Sequence, residues 1–102
     1  MDPAARLSLH ATTSHAAALV PMLVADQIQA IGGWVTDVHA FGTLQVVVSF
    51  IVPGKRAREL EHILKGAGLR VYEATWGQPE ARDEVAGAIT VTPNVPLQPL
   101  PV

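Results

Sequence analysis

From Arg6 to Thr12 the chain alternates: Leu7, Leu9 and Ala11 fall on one side, Arg6, Ser8, His10 and Thr12 on the other. That is the period of a half-buried strand. Thr12, Thr13 and Ser14 then offer oxygens suited to the start of a helix. Past them the apolar period lengthens to that of a helix. Val20, Val24, Ile28 and Ile31 form a stripe with Leu23 beside it, while Asp26, Gln27 and Gln29 lie off it. In a helix begun at His15, Pro21 would delete the bond to Ala17. The pattern therefore predicts an irregular turn over 15–19 and a regular helix from Val20, closed by Gly32 or Gly33 in a left-handed conformation.

Two strands follow, Trp34 to Phe41 and Leu44 to Val52, joined by a hairpin turn at Gly42-Thr43. In the second of them Val46, Val48 and Phe50 should face the helices, and Gln45, Val47, Ser49 and Ile51 should face away. Pro53-Gly54 stops that strand. A second helix carries Ala57, Leu60, Leu64 and Ala67 on one stripe with Ile63 alongside, and Gly66 and Gly68 mark its end. Leu69 to Thr75 reads as a fourth strand. Trp76 to Glu84 is a polar loop with a helical turn over 79–85, and Gly87 to Thr92 alternates again, which adds a strand at the sheet edge. Pro93, Pro96 and Pro99 recur every third residue, the repeat of a polyproline II run. The order β-α-β-β-α-β predicts an α+β fold, a ferredoxin-like sandwich. Its antiparallel sheet would run in the strand order 4-1-3-2 with two helices on one face. The domain spans 1–92 and a proline-rich tail spans 93–102.

Length and composition add limits. The 102 residues suit one domain that buries roughly 65% of its unfolded surface. Apolar residues make up 49% and charged residues only 16%, against about 25% in an average domain. A small surface so short of charge points to contact with a second copy. The formal net charge of −2 and the isoelectric point near 6.0 lack the basic excess of a nucleic-acid binder. With no cysteine, disulfides, thiolate zinc sites and cysteine nucleophiles are excluded. No apolar run approaches a membrane span, and residues 1–6 lack the pattern of a signal peptide, so the expectation is a soluble cytoplasmic protein that meets neither membrane nor nucleic acid.

Few residues carry recognisable chemistry. The histidines are His10, His15, His39 and His62. His10 with His39 and Asp37 would make a two-histidine, one-carboxylate metal set only if their strands were adjacent. In the 4-1-3-2 order those strands lie about 9.5 Å apart, so no metal is expected. Lys55, Arg56 and Arg58 open the second helix, where cations oppose the helix dipole; they would either receive an anion or be neutralised by Glu59 and Glu61. The glycines form neither a dinucleotide nor a P-loop pattern, and no catalytic residue or cofactor is expected. An RNA-recognition module shares the element order but stacks bases on exposed aromatics of its first and third strands. The outward positions here are Ser8, His10, Gln45, Val47, Ser49 and Ile51.

Three segments together resemble an ACT domain: Gly32-Gly33-Trp34-Val35-Thr36-Asp37-Val38, Gln45 to Phe50, and Leu60 to Val71 with its Leu64, Gly66, Gly68 and Leu69. The resemblance extends over residues 6–72. It implies a regulatory module that binds a small metabolite such as an amino acid. Its ligand would lie near Gly32 and Gly33, whose backbone approaches it, near Asp37, and near Ser14 at the first strand-to-helix turn. That turn, Ala11 to Ala17, departs from the family pattern, lacking its Asp and Gly.

Val47 and Ile51 are apolar on a face that the helices do not cover. An open antiparallel sheet normally carries polar residues there. Either a second protomer or the chain's own 76–102 extension must cover Gln45, Val47, Ser49 and Ile51, and a homodimer through this sheet face is the expected cover. Three functions are compatible with this reading. The first is a non-enzymatic ACT-like regulatory or ligand-binding homodimer. The second is a small dimeric α+β-barrel enzyme, monooxygenase- or isomerase-like, with a pocket lined by His10, His39 and Trp34. The third is an adaptor that recruits partners through the proline tail.

Overall fold

A computed structural model of the chain describes residues 6–42 and 44–93. Its elements are β1 (Leu7–Thr13), α1 (Val20–Ala30), β2 (Trp34–Phe41), β3 (Gln45–Pro53), α2 (Glu59–Gly66), β4 (Leu69–Thr75) and β5 (Glu84–Pro93). The expected order β-α-β-β-α-β is present, followed by one more strand. Both helices lie on one face of a five-stranded sheet. The alternation that suggested β1 is obeyed: Leu7, Leu9 and Ala11 are buried, as are Val46, Val48, Phe50 and Val52 of β3. Against them pack Val20, Val24, Ile28 and Ile31 from the first helical segment and Ala57, Leu60 and Leu64 from the second.

The first helix begins as the pattern predicts. A short 3-10 turn, Ala17–Leu19, precedes α1, and Pro21 sits in its first turn, where the missing N–H has no intrahelical acceptor to lose. At the other end Gly32 adopts φ +89°. The Gly33 N–H reaches the Ile28 carbonyl at 2.9 Å and the Gly32 N–H reaches Gln29 at 3.0 Å, the paired bonds of a Schellman close. Thr13 does not cap a helix. Its Oγ1 accepts from the His15 N–H at 3.1 Å and donates to the Gly68 carbonyl at 2.8 Å, so it ties the end of β1 to the end of α2. Neither Thr12 nor Ser14 makes a capping bond; the first helical turn starts after Ala16. The 79–85 turn is shorter than expected, a 3-10 turn over Pro79–Ala81.

The sheet corrects the sequence reading in one major respect. Its order is β2-β3-β5-β1-β4, so β5 is central, not an edge strand. β5 pairs antiparallel with β3 and parallel with β1, which makes the sheet mixed rather than antiparallel throughout. Without β5 the order would be 4-1-3-2; the extra strand lies between β1 and β3. The physical reason lies in its side chains. Val85, Ile89 and Val91 are buried on the helix side. Gly87 lets β1 and β3 close around it: a Cβ there would lie 2.7 Å from Leu7 Cβ and 3.0 Å from Phe50 Cε1. Residues 85–102 include no charge, whereas exposed edge strands are normally protected by charges. The two strands at the edges do carry them, Asp37 on β2 and Arg70 and Glu73 on β4.

Among the described residues no helix is long and apolar enough to cross a membrane. Pro93 closes β5 opposite Thr13. The proline tail from 94 onward, the N-terminal residues 1–5 and Thr43 of the expected hairpin turn lie outside the described residues. That turn is closed by the Leu44 N–H bonded to the Phe41 carbonyl at 3.1 Å.

Candidate functional site

Strand register fixes which side chains share the face turned away from the helices. One row across the sheet reads His39, Val47, Thr90, His10 and Glu73. The next reads Asp37, Ser49, Ala88, Ser8 and Thr75, and a third joins Trp34, Ile51 and Ala86. Gln45 lies opposite Phe41. The four positions expected to face away from the helices, Gln45, Val47, Ser49 and Ile51, thus lie together on β3. Val47, Ser49 and Ile51 are half-buried and Gln45 is exposed.

The middle of this face holds no charge. Val47, Ser49 and Ile51 of β3 adjoin Ala86, Ala88 and Thr90 of β5, then Ser8 of β1. Aromatic side chains flank it with much of their surface in water: Trp34 at 45%, Phe41 at 54% and Tyr72 at 60% exposure. His39 stacks on Phe41 with ring centroids 5.8 Å apart, and His10 lies tilted against Tyr72 at 6.3 Å. Charges keep to the periphery: Asp37, 4.0 Å from His39 on β2, and Arg70 and Glu73 on β4. On this face β5 contributes only the small side chains of Ala86, Ala88 and Thr90, a trough in side-chain size between β3 and β1.

The inserted strand also changes the histidine geometry. His10 and His39 share a row but stand three strand steps apart, about 14 Å rather than 9.5 Å. They cannot hold one ion between them. Among the described residues no group of three His, Asp or Glu side chains is placed to bind a metal.

The residues proposed for a metabolite fall into two places. Gly32 and Gly33 lie where α1 turns into β2, and Asp37 projects on the open face further along that strand. The close approach of Gly33 is to the protein itself: a Cβ there would collide with the Ile51 carbonyl and with Val52. Ser14 sits at the opposite end of the sheet. It lines a cleft of about 400 Å³ with Thr12, Thr13, Lys65, Gly68, Leu69 and Arg70.

The basic group at the start of the second helical segment is largely neutralised. Arg56 makes two hydrogen bonds of 3.0 Å to Glu59. That bidentate contact raises the guanidinium pKa and holds the Glu59 carboxyl below its ordinary value. Arg58 pairs with Glu80, outside the expected neutralising pair Glu59 and Glu61, and lies over Trp76 at 5.4 Å. The hydrogen bond from Arg58, with help from the backbone of Glu80, lowers the Glu80 pKa.

Sequence reasoning missed Phe41 and Tyr72 as members of the open face, and missed Ala86, Ala88 and Thr90 as its centre. The charge-free run after Glu84 was the signal for a central strand. Lys65 and Arg70 were also missed, because only the fold brings them together. No protein-family model, no curated protein and no solved structure matches this chain.

Proposed function

We propose that the chain is a non-enzymatic, ACT-like binding module of the ferredoxin-like type, with an extra central strand, that works as a homodimer through its open sheet face. One observation carries this reading: the charge-free centre of Val47, Ser49, Ile51, Ala86, Ala88 and Thr90 has aromatics around it and charges only at its periphery. Interfaces between proteins have that anatomy. The size also suits a second copy. Five strands at about 4.8 Å and seven residues at about 3.3 Å give a face of about 24 by 23 Å. That projection of about 550 Å² falls at the small end of specific interfaces, whose standard is roughly 800 Å² per partner. A small metabolite such as an amino acid would bind at the β2 end, near Gly32, Gly33 and Asp37.

Sedimentation equilibrium tests the assembly. The expected result is a dimer for the wild type, and a monomer with unchanged far-UV circular dichroism for Ile51→Lys. A wild-type monomer at every concentration would overturn the reading. A chain ending at Pro93 that gains self-association would identify the tail as the cover instead. The ligand is tested by thermal shift with a panel of amino acids: saturating ligand at about 100 times its Kd adds about 2.7 kcal/mol. Asp37→Ala should abolish that shift.

A second reading, a dimeric α+β-barrel enzyme, is favoured by the trough over β5 with His10 and Tyr72 on one side and His39 and Phe41 on the other. It requires a cavity between the two sheets. A crystal structure of the dimer with the trough filled by partner side chains would eliminate it.

A further inference from the structure

We propose that the cleft at the junction of β1, α2 and β4 binds a small phosphate-bearing molecule through Lys65, Arg70, Thr12 and Ser14. The inference is independent of the sheet-face dimer. Its first support is the charge of the lining. Lys65 and Arg70 are exposed at the cleft, and no carboxylate lines it. Among the described residues neither cation has an ion-pair partner, in contrast to Arg56 and Arg58, which are both paired. The Thr12 and Ser14 hydroxyls likewise form no hydrogen bond with any of the described residues. An Arg fork and a Lys point charge with two hydroxyl donors between them are the groups that recognise phosphate oxygens.

The second support is what has been removed from the cleft. It lies at the C-terminal end of α2, whose free carbonyls would repel an anion. Three of the last four already accept hydrogen bonds. Ile63 and Leu64 accept from the Ala67 N–H, and Lys65 accepts from Gly68 at 3.0 Å. The Gly68 carbonyl accepts from buried Thr13 at 2.8 Å. The same Thr13 hydroxyl fixes the turn that presents Ser14, through its bond from the His15 N–H. Gly68, at φ +91°, keeps the wall low; a Cβ there would meet His15 Nε2 at 2.6 Å. The volume of about 400 Å³ lies within the range of small-molecule sites and exceeds what inorganic phosphate fills. The ligand class is therefore a phosphate monoester of a small metabolite.

The test is an amide chemical-shift titration of the full chain at constant ionic strength with three probes: inorganic phosphate, glycerol 3-phosphate and acetate. Saturable shifts at the Thr12, Ser14 and Gly68 amides are expected with both phosphates, tighter for glycerol 3-phosphate. The K65Q/R70Q double variant should bind roughly tenfold more weakly and each single variant roughly threefold more weakly. All these side chains are exposed, so folding is preserved, and Arg58→Gln, distant from the cleft, should leave the titration unchanged. No shift at the cleft, equal binding by the double variant, or acetate acting as well as glycerol 3-phosphate would each overturn the assignment.

Discussion

Replacing Gly87 by alanine tests the position of β5 by the sign of the stability change. In an edge strand, alanine for glycine should stabilise, because glycine in a strand costs roughly 0.5–1 kcal/mol. In the centre of this sheet the added methyl lands 2.7 Å from Leu7 Cβ, 3.0 Å from the Leu7 carbonyl oxygen and 3.0 Å from Phe50 Cε1. None of these is the far end of a flexible chain: Leu7 and Phe50 are fully buried core members. Overpacking of this kind costs about 1–3 kcal/mol. Subtracting the entropic gain leaves a net loss of about 1 kcal/mol from the middle of these ranges and up to about 2.5 kcal/mol. For a domain of this size each kcal/mol moves Tm by about 4–8 °C, so the melting temperature should fall by about 4–8 °C, and by no more than about 20 °C. Urea unfolding followed by circular dichroism, supported by a thermal melt, measures both. A Gly87→Ala protein as stable as the wild type, or more so, would refute a strand held between β1 and β3. Gly66→Ala supplies the internal control. Nothing lies within 4 Å of a Cβ at that helical position, and the change should stabilise by about 0.4–1 kcal/mol.

Further predictions follow from other contacts. Thr13→Val keeps the shape of the side chain but leaves the Gly68 carbonyl and the His15 N–H without their partner; a loss of about 1–3 kcal/mol is expected in urea unfolding. Leu60→Ala, in the buried stripe of α2, should cost about 2–5 kcal/mol, whereas His62→Ala on the exposed side of the same helix should be near neutral. Glu59 and Glu80 have folded pKa values below the ordinary value. Their contribution is therefore complete above the unfolded pKa of about 4.3 and is lost as the pH falls through the lower folded values. The Glu59→Gln, Glu80→Gln double variant should flatten stability against pH on the acid side of that value and leave it parallel to wild type at neutral pH; an unchanged acid slope would disprove the pairing in solution.

The local elements were legible because single residues determine them. Pro21 dictates where α1 can start, Gly32 where it must end, and the period-two run of Val46, Val48 and Phe50 which side of β3 is buried. Strand order was less legible because it depends on a pairing far apart in sequence. Leu7 meets Gly87, eighty positions further along the chain, and alternation alone suits an edge strand and a central one equally well. What separates them is charge: the run after Glu84 has none, while β2 and β4 carry Asp37, Arg70 and Glu73. The outward face of β3 was read from parity alone, and the structure places Gln45, Val47, Ser49 and Ile51 on it. The phosphate cleft was not legible, since Thr12 and Ser14 meet Lys65 and Arg70 only through the long-range pairing of β1 with β4, Thr12 opposite Arg70, and the Thr13 to Gly68 bond.

The inserted strand has a consequence for function that a four-stranded sheet would not share. With β1 beside β3, the outward side chains of those two strands would be direct neighbours. β5 separates them and lays Ala86, Ala88 and Thr90 along the midline. A second copy docking face to face therefore meets a ridge at Val47 and Ile51 and a trough beside it. The two copies can pack closely only if the ridge of one enters the trough of the other. Filling the trough commits the dimer to a dry interface and leaves binding to the ends of the sheet; leaving it open creates an enclosed space between His10 and His39. Ala88→Leu distinguishes these outcomes. In the interlocked dimer the larger side chain occupies space needed by the partner, so the dissociation constant should rise by about tenfold or more, equivalent to about 1.4 kcal/mol, as sedimentation equilibrium would measure. In a hollow dimer the same change projects into empty volume and association should be unaffected or strengthened. Unchanged association of Ala88→Leu, together with monomeric Ile51→Lys, would therefore remove the interlocked packing while retaining the face as the site of assembly.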